Sequence, residues 1–337
     1  MSLLKVENLK VYYETSRGVS QAVDGISFEL DESQSIGLVG ESGCGKSTTV
    51  KGIVRVMPKN AFIPEGKVYY KDTDLVSLPE NELNKLRWTD IAMVPQAAMD
   101  SLNPVYTVKN QFIEVLKIKG KENKKDAVKK AENLFEKVGL SKELLNYYPH
   151  QFSGGMKQRA VIALALALNP GLIITDEPVT ALDVIVQHQI LRELKGLRED
   201  FNIALVMITH DISVVAQTCD YIVVMYAGKI VEKGTANQIL KDPLHPYTMG
   251  LENSFPDINK PEKELISIAG SPPELINPPR GCRFSERCPF SEAICFQQEP
   301  ELVELKDGHY SACIHRENID QLRARSKEVQ TWQKKSM

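Results

Sequence analysis

The chain has 337 residues, 42% of them apolar and 25% charged, and a formal net charge of −3. That size and composition support a folded protein with room for more than one domain and exclude disorder throughout. The charge excludes an overall basic field of the kind that holds a protein on nucleic acid or anionic lipid, so no nucleic-acid partner is expected.

No basic start followed by an apolar core opens the chain, and the longest strongly apolar run, Ala160 to Leu168, falls well below the roughly 18 residues that span a bilayer. A soluble, intracellular protein is the expectation. In such a compartment the six cysteines should stay reduced, and clustered cysteines then point to a metal.

In chain order, residues 3–39 alternate apolar and polar positions, as in Ile26-Ser27-Phe28-Glu29-Leu30, which predicts antiparallel strands with one solvated face. They end in the buried strand Ile36-Gly37-Leu38-Val39. A glycine-rich loop and a helical pattern from Lys46 to Met57 follow, the strand, loop, helix order of an arm of a parallel sheet. Between Ala97 and His150 strand signals vanish, and Ala127, Val128, Ala131, Leu134, Phe135 and Val138 recur at helical spacing. A helical insertion is predicted there, with Lys121, Lys124, Lys125, Lys129 and Lys130 forming a solvated face. Leu172–Thr175, Ile203–Ile208 and Tyr221–Met225 then complete a parallel sheet. Beyond Gly250, prolines at 256, 261, 272, 273, 278, 279, 289 and 300, together with four cysteines, mark a separate loop-rich tail.

Gly40-Glu41-Ser42-Gly43-Cys44-Gly45-Lys46-Ser47 fits the phosphate-binding loop pattern in the context that the pattern requires. Its glycines let backbone N–H groups turn toward phosphates, and the following helix adds its positive end. Gly40, Ser42, Gly43, Cys44, Gly45, Lys46, Ser47 and Thr48 are the candidate nucleotide contacts, with Cys44 at a variable position of the loop. Lys46 supplies a point charge to the phosphates and Ser47 an oxygen to Mg²⁺. Leu172-Ile173-Ile174-Thr175-Asp176-Glu177 is an apolar strand ending in two carboxylates, one suited to Mg²⁺ and one to polarising the attacking water.

Phe152-Ser153-Gly154-Gly155-Met156-Lys157-Gln158-Arg159 resembles the signature sequence of ABC ATPases. The commonest form has leucine first and glutamine where Met156 stands; this variant is usual in the peptide-importer branch. Gln96 resembles the Q-loop glutamine, Ala181-Leu182-Asp183 the D-loop, His210 the switch histidine and Tyr13 the aromatic that stacks on adenine. Ser101-Leu102-Asn103-Pro104, His245-Pro246-Tyr247-Thr248, Gly281-Cys282-Arg283-Phe284 and Arg287-Cys288-Pro289 look like the dipeptide/oligopeptide and nickel importer branch. Val179 stands where threonine is more usual, with no functional cost expected.

The resemblance implies an α/β fold: a P-loop ABC ATPase with an antiparallel β subdomain, a helical subdomain insertion and a small loop-rich, cysteine-bound C-terminal domain. The core is expected over 1–96 and 156–250, the helical subdomain over 97–155 and the C-terminal iron–sulfur domain over 251–337. The implied cofactors are ATP and Mg²⁺, the metal held by Ser47, Gln96 and Asp176. Glu177, His210 and Gln96 serve catalysis, while Ser153 and Gly155 contact the ATP of the opposite subunit. Two such subunits, identical or homologous, would form a head-to-tail dimer on the cytoplasmic face of the membrane. They would drive two integral membrane permease subunits fed with di- or oligopeptide by an extracytoplasmic substrate-binding protein. Nickel or another small solute is the alternative cargo, and a soluble regulatory ABC ATPase with a metal-sensing tail the alternative class.

Cys282, Cys288, Cys295 and Cys313 are separated by five, six and seventeen residues. By count, four thiolates suit zinc or a [4Fe–4S] cluster equally; structural zinc favours pairs two to four residues apart, so the wider spacing fits a bulkier cube. Similar importer ATPases carry such a cluster at these cysteines, which favours it over zinc. Its role is expected to be structural, leaving nucleotide binding through Tyr13, Lys46 and Glu177 unaffected.

Overall fold

The protein is described by a computed structural model over residues 2–96, 98–180, 182–254 and 266–333. Ala97, Ala181 of the D-loop and residues 255–265, where the tail was expected to begin, lie outside these. The chain divides into two compact units: one holds Leu30–Ser35 and Tyr70–Ile208 with the first residues, the other Lys5–Glu29, Ile36–Tyr69 and Thr209 onward.

In the unit holding Tyr70–Ile208, three strands run parallel. Ile91–Val94 pairs with Leu172–Asp176, Ile91 opposite Leu172, and Leu172–Asp176 pairs with Ala204–Thr209, Leu172 opposite Ala204. Every residue from Leu172 to Asp176 is buried, as an uninterrupted apolar run requires when both faces of a strand are covered. The predicted helical insertion is present as Val108–Ile118 and Lys124–Lys137. Asn123 caps the second, its side chain accepting the N–H groups of Lys125 and Asp126. Ala127, Ala131, Leu134 and Phe135 form its buried stripe, with Phe135 edge-to-face on Phe112 at 5.5 Å between centroids. Lys121, Lys124, Lys125 and Lys129 are exposed, as the pattern requires, and Lys130 pairs with Glu122 at 3.0 Å.

The strands Ser2–Thr15 and Gly18–Asp31, whose greater part, Lys5–Glu29, belongs to the other unit, are joined by two residues, a connection only antiparallel neighbours allow. Val6, Leu9, Val11, Ile26 and Phe28 are buried. Ser35–Val39 lies parallel to Tyr221–Tyr226, Ile36 opposite Tyr221. Ala227 and Gly228, with φ of 47° and 84°, turn the chain back into Lys229–Thr235, antiparallel to Tyr221–Tyr226. The helix predicted to reach Met57 ends at Ile53.

The tail departs from the expectation of a separate loop-rich segment. Val303–Lys306 and His309–Ser311 form a hairpin across Asp307-Gly308, with Gly308 at φ 68°. His309–Ser311 then pairs with Lys229–Thr235, Glu232 opposite Ser311, so the tail extends the sheet that carries the phosphate loop. Asp-Gly between Val303-Glu304-Leu305-Lys306 and His309-Tyr310-Ser311 was the available signal, but these runs are too short to name a partner strand 77 to 79 positions earlier.

Glu232 secures this junction. Its carboxylate, fully buried, accepts the N–H groups of Leu244 and His245, each at 2.8 Å, and Nε2–H of His309 at 2.7 Å. Removing it strands three donors away from water, a loss of about 3–5 kcal/mol by analogy with broken buried pairs. Glu232→Ala is therefore expected to lower the urea midpoint markedly, while Glu304→Ala on the exposed edge strand shifts it little.

Candidate nucleotide site and cysteine cavity

Gly40, Gly43 and Gly45 take φ of 149°, 79° and 105°, a region open at little cost only to glycine. A Cβ on Gly40 would lie 2.1 Å from the Met225 carbonyl oxygen and one on Gly45 2.4 Å from that of Ala22, whereas one on Gly43 would meet nothing within 4 Å. The loop is thus pressed against backbone on two sides and open on the third, which fits a phosphate cradle. Gly45 opens the helix Lys46–Ile53. Lys46, 5% exposed, folds its ammonium onto the carbonyls of Gly40 at 2.7 Å and Glu41 at 2.9 Å. The Tyr13 hydroxyl meets Thr48 Oγ1 at 3.1 Å, which ties the predicted adenine-stacking residue to this helix. Ser42 and Ser47 lie within the same loop and first turn. Cys44 is 1% exposed, and burial raises its thiol pKa, in keeping with a packing role.

In the unit holding Tyr70–Ile208, Asp176 is 1% exposed at the end of its strand. Glu177 follows at φ 51°, its N–H donating to the Ile208 carbonyl at 2.9 Å. Its Oε2 accepts both Gln96 Nε2, at 3.2 Å, and Thr180 Oγ1, at 3.0 Å. A residue in a costly backbone conformation whose carboxylate is held by two neighbours has a fixed aim. Two of the predicted catalytic residues, Gln96 and Glu177, are therefore in direct contact. Thr180 was missed, since nothing local marks a threonine as a carboxylate's partner. His210 is exposed, just after the strand Ala204–Thr209.

Ser153 caps the helix Gly154–Ala165, accepting the Met156 N–H at 3.3 Å, and is itself exposed. A Cβ on Gly155 would come within 2.7 Å of Val186 Cγ1, so glycine is required where this helix start meets the next helix. Asp183 of the D-loop caps that helix, Val184–Phe201, accepting the Val186 N–H at 3.0 Å.

The four tail cysteines, with up to seventeen residues between neighbours, line one small cavity with His245, Ser285, Ser291 and His315. None is in a disulfide. Cys282 N–H donates to the Cys295 carbonyl at 2.8 Å, and Cys295 Sγ lies 3.5 Å from His315 Nε2. Burial pushes the Cys282 thiol up to about 11 and that of Cys313 to about 12, so these sulfurs become ligands only where a cation replaces their protons. Among the described residues no three His, Cys, Asp or Glu side chains are gathered around a single ion position.

The fold resembles solved ATP-binding cassettes. The dimeric post-hydrolysis structure of the cassette MJ0796 bound to ADP and Pi aligns with a TM-score of 0.63 and 29% identity, over 69% of this chain and 98% of that one. A cassette of this class, with its phosphate loop and strand-end carboxylates, is an ATP hydrolase. Residues 23–180 match the ABC transporter family and residues 231–295 the oligopeptide/dipeptide transporter C-terminal region. The oligopeptide transport ATP-binding protein OppD of Bacillus subtilis is 44% identical over 91% of this chain and 87% of its own length. The dipeptide transport ATP-binding protein DppD of Lactococcus lactis is 44% identical over 92% and 89%. The chain belongs to the family of ATP-binding proteins of dipeptide and oligopeptide ABC transporters.

Proposed function

We propose that this chain is the ATPase subunit of an ABC importer that couples ATP binding and hydrolysis to uptake of di- or oligopeptides. The observation that carries this is the match to peptide-transport ATP-binding proteins over nine-tenths of the chain, including the C-terminal region specific to them. In this reading Lys46 and the amides of the Gly40–Ser47 loop bind the triphosphate, Tyr13 stacks on adenine, and Ser47, Gln96 and Asp176 hold Mg²⁺. The metal neutralises charge on the phosphates. Glu177 orients the attacking water, and His210 contacts the terminal phosphate.

The chain acts in a head-to-tail dimer in which Ser153 and Gly155 reach the partner's ATP, and the exposure of Ser153 at a helix N-terminus supports this. Exposed Val184 and Ile185, 67% and 74% accessible beside the D-loop, support a covered surface there. The segment 97–155 passes motion to two permease subunits at the cytoplasmic face of the membrane; exposed Val105, Tyr106, Tyr147 and Tyr148 support a docking role. Among the described residues no helix is long and apolar enough to cross a membrane. A substrate-binding protein delivers peptide, which this chain does not touch.

Cys282, Cys288, Cys295 and Cys313 hold a [4Fe–4S] cluster that staples the segment within 251–337. The presence of all four residues along one cavity supports this. The wide spacing of these cysteines weighs against zinc, the alternative.

Reconstitution with its permeases in vesicles tests the function: ATP-dependent accumulation of labelled dipeptide is expected, and ATP-dependent uptake of nickel but not peptide would overturn the cargo. Mixing Ser153→Arg with a wild-type partner tests the dimer. The ATP held by the partner's loop should lose turnover, and loss at this chain's own ATP would refute the assignment in trans.

A further inference from the structure

Glu41, the second residue of the phosphate loop, uses every polar group it has. Its carbonyl is one of the two that hold Lys46, and its N–H donates to the Tyr247 hydroxyl at 2.8 Å. Its carboxylate receives both terminal nitrogens of Arg287, Nη1 at 2.7 Å and Nη2 at 3.0 Å. Arg287 is as fully engaged. Its Nε donates to the Ala269 carbonyl at 2.9 Å, Nη2 also to that of Ile268 at 3.2 Å, and Nη1 also to the Tyr226 hydroxyl at 3.2 Å. Those bonds occupy all five N–H groups of the guanidinium, an arrangement lysine cannot reproduce. The Arg287 side chain is 7% exposed and that of Glu41 26%, so the pair is shielded well beyond an ordinary surface ion pair.

We infer that Arg287 is a positioning residue for ATP binding: acting through Glu41, it holds the phosphate loop in its receiving shape and neutralises a carboxylate beside the triphosphate. Two physical effects join here. A loop with three positive-φ glycines has little stiffness of its own, and ordering it before the ligand arrives removes an entropic cost of binding. An uncompensated carboxylate next to phosphate would repel the ligand, and the bidentate guanidinium cancels it. Because Arg287 directly precedes Cys288, which lines the cysteine cavity, order in that segment is passed to the nucleotide loop.

The inference rests on reading the loop as the ATP site, and titration of the full chain with a fluorescent ATP analogue separates the two. Lys46→Ala should abolish binding; were it to bind as wild type, the ATP reading would fall and this inference with it. Arg287→Ala should raise Kd and KM for ATP about tenfold with kcat at saturating ATP within about twofold, and Arg287→Lys should restore only part of the loss. Glu41→Gln, which keeps every residue of the tail, should raise Kd a few-fold. Adding Arg287→Ala to it should cost less than in the wild type, since the carboxylate to be neutralised is gone. Wild-type Kd in Arg287→Ala, or losses that multiply fully in the double variant, would overturn the inference and leave Arg287 as a support of the tail alone.

Discussion

Glu177→Gln is expected to leave ATP binding intact and to cut steady-state hydrolysis at least about 100-fold, because a positioned base contributes roughly 10²–10⁴ in rate. The amide is nearly isosteric, so the backbone bond from Glu177 to Ile208 and the contacts with Gln96 and Thr180 can persist in altered polarity while the charge proposed to orient water is lost. The phosphate loop is untouched by the change, and ATP should then trap the closed dimer. Phosphate release measured beside nucleotide binding checks this; hydrolysis at the wild-type rate would remove Glu177 from the catalytic role.

If the proposed cluster is held there, serine at any one of Cys282, Cys288, Cys295 or Cys313 is expected to strip the segment of iron. Anaerobically purified wild type should be brown, with about four irons and four sulfides per chain, and each variant should fall toward zero. Colourless wild-type protein with about one zinc would replace the cluster by zinc, and protein with neither metal would sink both readings. Protease resistance of the segment around 266–315 should fall with the metal. Read from sequence, nucleotide binding should survive that loss. The Arg287 to Glu41 contact leads to a different expectation: Cys288→Ser should also weaken ATP binding, and less so in a Glu41→Gln background.

The residues of the phosphate loop, the strand Leu172–Asp176 and the helix stripe Ala127, Ala131, Leu134 and Phe135 were legible because each is a local pattern. Glycine spacing sets backbone dihedrals within a few residues, and burial period sets strand or helix. The loss of the last turn expected before Met57 belongs to the same level, where element ends are the least determined feature. Family resemblance named Gln96 and Glu177 separately, and only the structure shows that they meet, since no spacing rule joins positions 81 apart.

By itself the sequence determined the class of chemistry, because phosphate binding and water activation need particular side chains in short, ordered motifs. Tertiary structure alone decided two further things: that the tail hairpin extends the sheet of the phosphate loop, and that Arg287 and Tyr247 clamp Glu41 from 246 and 206 positions away. Such pairings leave no periodic trace, since each partner satisfies its local pattern equally well without the other. They exist only once the chain has closed those long loops and found that its buried donors and acceptors must be matched.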